Sequence, residues 1–440
     1  MTISLSPKDS EDSIIQEGYP AKMNMTLVLL LLLNTVPAVN PDLSGNPGEN
    51  LSEKRATIPF LAFLPESLKI LKWNESASWG SITLPEKASE NIKPRFHAEC
   101  RAAFDDKHFY IMLRGPEAII NGNLEITLKA PGKKLTRVSF HSDDEKNRVF
   151  IDGHSPGEAN DLIVKRAAGP NKSSLFFAAI PFRFVGCSSI NDKDLWKFSI
   201  AGNPAATETS TDLIFRKKVF NLGCGGAASG NIMRRFLKYA LDLKPDTAVV
   251  LAGTNDMINS SNLSDYSIYE KNMRTIVSQL KDAGCRVILV TIPPCEERLL
   301  FLRHKPELFM NETPNQRILN ANGIIRKVAE DEKAYLLDFF AIVLEKGMNE
   351  KKESMIRNPA NSGTTDGVHP TEEGYKALAK AAAVIISKNK LAANKVVCLG
   401  DSITYGAGMK GAGTASGKTY PGQLLNFLDL MESGETVNKE

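Results

Sequence analysis

The hydrophobic pattern divides the chain into two textures. Between about Ala56 and Gly202 the apolar residues come in short runs: FHAECRAAF, KHFYIMLRG, NLEITLKA, TRVSFHS, RVFIDG, SLFFAAIPF and LWKFSIAG. Turn residues separate them, and many short strands punctuated in this way predict an all-β sandwich. From about Leu213 the rhythm changes. KKVFNLG, DTAVVLAGTND, CRVILVTIPP and AYLLDFF read as buried strands, each followed by a helix-length segment such as NIMRRFLKYALDL or NMRTIVSQLKDAG. That alternation predicts an α/β domain built on a parallel sheet. TEEGYKALAKAAAVIISKNK reads as a helix with Thr371 as its cap and a basic end. A fifth strand, Lys395 to Leu399, comes after it and runs into Asp401-Ser402. No fixed-period internal repeat is present.

With 440 residues, 42% of them hydrophobic, the chain is long enough for two cores. The expected organisation is a signal-peptide region over 1–40, a linker over 41–55, a β-sandwich over 56–205 and an α/β domain over 212–440. The first region rests on MNMTLVLLLLLNTVPAVN, whose apolar run Leu27 to Leu33 precedes Val36-Pro37-Ala38, as in an export signal. The residues before Met23 are polar and net acidic, so Met23 or Met25 is the expected start. The run falls well short of the roughly 20 apolar residues that a membrane span needs, and no other candidate span appears. A periplasmic or secreted location is therefore expected. A net charge of +3, from 54 basic and 51 acidic residues, gives no case for nucleic acid or an anionic membrane as main partner. Six cysteines without paired short spacings do not form a zinc ribbon or a dense disulfide framework.

Four stretches of the second domain carry candidate chemistry: GDSIT (Gly400 to Thr404), NLGCGG (Asn221 to Gly226), GTND (Gly253 to Asp256) and DGVHP (Asp366 to Pro370). Each alone has a plainer reading, as a capped helix start, a tight turn, a common loop composition and a turn before a helix. Together they resemble the four blocks of the SGNH, or GDSL, hydrolases. The resemblance implies a three-layer, flavodoxin-like α/β domain with a five-stranded parallel sheet, and a serine esterase. It implies Ser402 as nucleophile, His369 as base and Asp366 as orienting acid. The oxyanion donors it implies are the backbone N–H groups of Ser402 and Gly226 and the side-chain amide of Asn255, with Asp401 and Gly253 supporting the site. Acyl transfer needs those roles: a hydroxyl, a base for its proton, a group that orients the base, and donors for the developing oxyanion. The serine route calls for no metal and no organic cofactor.

The family's usual order places the GDS block first, whereas here it comes after the other three. That order resembles a circular permutation, with the tail KTYPGQLLNFLDLMESGETVNKE supplying the helix after the nucleophile and NKLAAN joining the old ends. The competing explanation is a truncated tandem pair, in which Ser402 belongs to another copy. DGHSPG contains a formal G-x-S-x-G at Gly153 to Gly157, but Pro156 has no N–H for an oxyanion and the stretch is strand-rich, so it is rejected as a nucleophile site. His304 reads as a surface or rim residue. Cys224 and Cys398 read as buried thiols or a pair.

The first domain, with WNESASWGSITL, AAFDDKHFYIMLRG, FFAAIPFRFVGC and LWKFSIAGN, resembles family 9 carbohydrate-binding modules and the related DOMON-like sandwiches. Trp73, Trp79, Tyr110 and Trp196 are candidates to stack on a sugar ring, or else core residues. Beside a serine esterase, such a module implies acylated, chiefly acetylated, carbohydrate as substrate. Alternatives are another small ester, as for a lipase or lysophospholipase, or a carbohydrate-binding protein with a degenerate hydrolase domain.

Overall fold

The structure is a computed structural model that describes residues 55–59, 80–82, 99–116, 123–143, 146–154, 162–168, 173–188, 190–202, 209–309 and 311–433. The expected signal region, nearly all of the expected linker, and Trp73 and Trp79 lie outside these residues.

Among the described residues, eleven strands build the first half: β1 (Arg55–Pro59), β2 (Gly80–Ile82), β3 (Glu99–Phe104), β4 (His108–Pro116), β5 (Leu124–Lys129), β6 (Thr136–Asp143), β7 (Lys146–Ile151), β8 (Ile163–Ala168), β9 (Ser173–Pro181), β10 (Leu195–Gly202) and β11 (Thr209–Arg216). They form a six-stranded sheet, β1-β11-β10-β5-β6-β7, and a five-stranded sheet, β2-β3-β4-β9-β8. Every neighbouring pair is antiparallel except β1 with β11. Alternate residues of β9 face opposite ways: Phe176, Ala178 and Ile180 enter the main core, while Leu175, Phe177 and Ala179 pack with Tyr110 and Met112. Aromatic rings fill the core, with Trp196 4.9 Å from Phe215 and 5.7 Å from Phe182 between centroids.

The boundary between the halves differs from the expected one. Residues 212–216, assigned from the sequence to the α/β domain, belong to β11, which pairs with β10 and buries Leu213 and Phe215 in the sandwich core. Only Lys217 and Lys218 separate β11 from β12 (Val219–Gly223), so one apolar rhythm runs through both strands. Charges clasp this junction. Arg216 bonds Asp192 at 3.3 Å and Asp429 at 2.7 Å, and Lys193 and Lys218 both reach Glu432.

The second sheet contains β12, β13 (Thr247–Leu251), β14 (Arg286–Val290), β15 (Tyr335–Leu337) and β16 (Val396–Gly400) in the order β12-β16-β13-β14-β15, all parallel. All residues of β12, β13 and β16 are buried, as expected for strands covered on both faces. Val249 and Leu251 face one helical layer and Ala248 and Val250 the other. Helices Phe339–Glu345, Glu372–Lys388 and Tyr420–Glu432 cover the first face, and Tyr266–Asp282 and Pro314–Asp331 the second. Thr371 caps Glu372–Lys388 through Gly374 N–H, as the sequence predicts.

Counted from β16 as first strand, the order is 2-1-3-4-5, the flavodoxin-like arrangement with its crevice where the order reverses, between β16 and β13. The strand placed last in the chain thus fills the innermost position of the sheet's first half. Deleting residues 391–440 removes a strand paired on both sides and uncovers β12 and β13. The α/β domain of the shortened protein should lose its cooperative unfolding transition in near-UV circular dichroism. A retained transition would show that β16 is dispensable for the fold.

Candidate active site

The site grows from the carboxyl ends of three adjacent strands. Gly400 at the end of β16 lies beside Gly223 of β12 and Leu251 of β13. The chain then turns at Asp401, whose carboxylate accepts the Ile403 N–H at 2.9 Å and caps the short helix Ser402–Tyr405. Asn221 on β12 steadies the loop beyond this helix, accepting from Gly223 N–H at 2.9 Å and donating to the Thr414 carbonyl at 3.0 Å. Ser402 is thereby held with its Oγ 2.9 Å from Nε2 of His369.

His369 and Asp366 stand on one tight loop before the helix Glu372–Lys388. Asp366 Oδ1 accepts the backbone N–H groups of Val368 and His369, each at 3.0 Å, and both carboxylate oxygens lie 3.0 Å from His369 Nδ1. Burial alone opposes a charge on Asp366. The charge and hydrogen bonds of His369, with Arg357 beside them, outweigh burial and hold the carboxyl below the usual carboxylate range. An ionised carboxylate only accepts, so Nδ1 carries the imidazole proton and Nε2 is left to accept from Ser402. Arg357, which the sequence reading did not single out, reaches Asp366 Oδ2 at 3.3 Å. Its position nine residues before Asp366 gives no local signal; a bridge between Ile356 and Pro370 folds it back. Glu296, also not singled out, braces the same loop through its backbone N–H to the Gly367 carbonyl at 2.8 Å, while its buried carboxylate accepts from Asn349 and Glu350.

Asn255 and Gly226 lie on the opposite side, after β13 and β12. Asn255 donates one amide hydrogen to the Ala227 carbonyl at 3.1 Å and receives Asn259 Nδ2 on its Oδ1, which fixes the side chain and leaves a second N–H. Gly253 has φ of 122°, and a Cβ there would come within 2.6 Å of the Tyr269 hydroxyl, so glycine alone fits. Asp256 fastens this loop to the glycine block through Ser229 N–H at 2.7 Å and the Ser229 hydroxyl. His304 stands at the rim, as expected. Its Nδ1 is 2.8 Å from Ser260 Oγ, and burial, helped by Arg303, lowers its pKa.

Several candidates fall elsewhere. Tyr110 and Trp196 are both buried in the sandwich, at 2% and 0% exposure, so neither presents a ring face to a sugar; Trp196 packs in the main core, and Tyr110 on the other face of the five-stranded sheet, stacked with Phe177. Ser155 to Gly157 of the rejected G-x-S-x-G lie outside the described residues, while His154 packs edge-on against Phe184. All six cysteines are free, so Cys224 and Cys398 form no pair. Among the described residues no cluster of His, Cys, Asp and Glu is arranged to hold a metal.

Asp401 lacks the hydrogen-bonded His369 and Arg357 partners that Asp366 has. Burial raises its carboxyl to about 6, offset only in part by Ile403 N–H, the Thr254 hydroxyl and His369. A carboxyl raised above its unfolded value contributes stability that is complete below about pH 4 and is lost as pH rises through about 6. Asp401→Asn should therefore be more stable than the wild type at pH 8 by about 2–3 kcal/mol, with the difference gone by about pH 4. Urea unfolding across that range measures it; a constant difference would deny the buried-acid account.

Several known proteins resemble parts of the chain. The chain is similar to a GDSL-like lipase from Bacteroides thetaiotaomicron VPI-5482 at 25% identity, covering 40% of this chain and 76% of that one with a TM-score of 0.31. It is similar to an acetyl xylan esterase at 22% identity, covering 40% and 80%, TM-score 0.31. It is also similar to a family 9 carbohydrate-binding module from Caldicellulosiruptor kristjanssonii in complex with glucose at 12% identity, covering 37% and 96%, TM-score 0.26. No curated protein matches it. Residues 202–377 match the GDSL-like Lipase/Acylhydrolase family, a stretch that holds Gly226, Asn255, Asp366 and His369 and stops before β16. Residues 202–377 of this chain thus carry a GDSL-like lipase/acylhydrolase family match.

Proposed function

We propose that the protein is an exported serine esterase that removes acyl groups, acetyl first among them, from carbohydrate by way of Ser402, His369 and Asp366. The observation that carries the mechanism is the unbroken hydrogen-bond chain from Ser402 Oγ through the imidazole to an ionised Asp366, at the carboxyl ends of the strands. In this reading Ser402 Oγ attacks the ester carbonyl as its proton passes to His369 Nε2. The tetrahedral oxyanion takes hydrogen bonds from the backbone N–H groups of Ser402 and Gly226 and from the remaining N–H of Asn255. Collapse of that intermediate breaks the bond to the alcohol oxygen, which receives the proton from His369. Water, deprotonated by the same imidazole, then frees the acid from Ser402. Asp366 stays ionised throughout and stabilises the transient imidazolium.

The carbohydrate part of the proposal rests on the resemblance of the sandwich to sugar-binding modules. With Tyr110 and Trp196 in the core, its stacking candidates narrow to Trp73 and Trp79. Export rests on the apolar run Leu27 to Leu33 and the Val36-Pro37-Ala38 beyond it. Among the described residues no helix is long and apolar enough to cross a membrane.

Turnover of p-nitrophenyl acetate and of acetylated xylan by the protein from Asp42 onward tests the reading. Ser402→Ala and His369→Ala should each lower kcat by about 10⁴-fold or more. Asn255→Ala should lower it by about 10²–10³-fold. Full activity in folded Ser402→Ala would sink the mechanism. Glycan binding by a wild-type protein without ester turnover would favour a binding protein instead.

A further inference from the structure

One charged group of the site has no part in the mechanism above. Arg357 is joined by its backbone to both sides of the acid–base loop: its N–H donates to the His369 carbonyl at 2.9 Å, and its carbonyl accepts from Gly367 N–H at 2.8 Å. Its guanidinium lies 3.3 Å from Asp366 Oδ2, with only 16% and 15% of the two side chains exposed. Backbone N–H groups supply Asp366 Oδ1, and Arg357 supplies the corresponding partner to Oδ2. The loop after Ser402 leaves room for this arrangement. A Cβ on Gly408 would sit 2.0 Å from Arg357 Nη1, so the guanidinium occupies the space a side chain there would need.

The geometry points to Arg357 as a positioning residue that acts through Asp366 and His369, holding the carboxylate toward Nδ1–H and tempering its charge so that turnover persists to lower pH. This rests on the triad reading above. A carboxylate favours the imidazolium that forms when His369 accepts a proton, and a guanidinium on that carboxylate opposes it. Removing Arg357 should therefore move the acid limb of turnover to higher pH. The other ionisable groups around the pair are Asp401 at the end of β16, Tyr375 on the helix Glu372–Lys388, and Arg303, which donates to the Thr365 carbonyl at 3.2 Å. The Glu296 carboxylate on the bracing segment is engaged by the Asn349 and Glu350 N–H groups. Asp401 titrates in the same range, so the comparison is between variants that all retain it.

The test is the pH profile of kcat/KM for p-nitrophenyl acetate in the wild type, Arg357→Gln, Arg357→Met and Arg357→Lys, with Ser402→Ala as baseline. In the two neutral variants the acid limb should move up by about one pH unit, while Arg357→Lys should keep it within a few tenths of a unit. A purely structural role would lower the unfolding midpoint without moving the limb. An unmoved limb in folded neutral variants overturns the proposal, as does an equal shift in Arg357→Lys. Failure of both neutral variants to fold, with Arg357→Lys folded, also overturns it in favour of a structural role. Absence of Ser402-dependent turnover in the wild type is a different failure: it removes the triad reading itself.

Discussion

The insertion of β16 between β12 and β13 is the constraint on which the rest of the molecule depends. Its register sets Gly400 beside Gly223 and Leu251, so three strands end together and their loops share one space. A shift of one residue would turn the buried side chains of Val396 to Leu399 toward the wrong helical layers. Ser402, the glycine block and the Asn255 loop come from stretches far apart in the chain, and only this pairing brings them together. Because parallel strands need crossovers, the helix Glu372–Lys388 must pass over one face before β16 can enter, and the loop carrying Asp366 and His369 immediately precedes that helix. The position of His369 relative to Ser402 is therefore set by the same topology.

Three aspartates around the site show how environment shifts one side chain in opposite directions. Asp366 is held ionised by His369, backbone N–H groups and Arg357. Asp401 lacks the His369 and Arg357 hydrogen bonds, and burial raises it. Asp256 is raised by burial too, although Ser229 and Ser264 hydrogen-bond it and tie the glycine block to the Asn255 loop. The environment favours the charged carboxylate at Asp366, beside His369 Nδ1, and disfavours it at the other two. Elsewhere the carboxyls act as caps and fasteners, in keeping with the desolvation that an unpaired buried charge would suffer.

The sandwich is joined to this domain by a strand-to-strand passage across Lys217 and Lys218. Arg216, Lys193 and Lys218 bind acidic residues of the helix Tyr420–Glu432, the same helix that packs behind β16. The helix that completes the α/β domain thus also holds the junction. Several of these charges are exposed, so their effect lies more in fixing orientation than in stability.

Much of the α/β domain was legible from the chain alone. The continuous apolar runs at Val219, Thr247, Arg286, Tyr335 and Val396 are what doubly covered parallel strands require; Asn255 and Ser402 follow two of them directly, whereas Asp366 and His369 stand on the loop before the helix Glu372–Lys388. The sandwich was legible as a class, through its alternation, but not in detail: β8 is a half-exposed edge with little pattern, and β11 reads equally well as the start of the next domain until its pairing with β10 is seen. Whether an aromatic residue is core or surface could not be read from its identity, since Tyr110 and Trp196 are buried by residues distant in sequence. Arg357 escaped for the same reason, as its partner Asp366 is met only after the chain folds back at Ile356 and Pro370. Local sequence determined which segments form strands and which side chains bear chemistry, because periodicity and functional-group type are local properties. Strand order, burial and the pairing of charges were decided only by the tertiary structure, because each depends on contacts between segments that the chain keeps far apart.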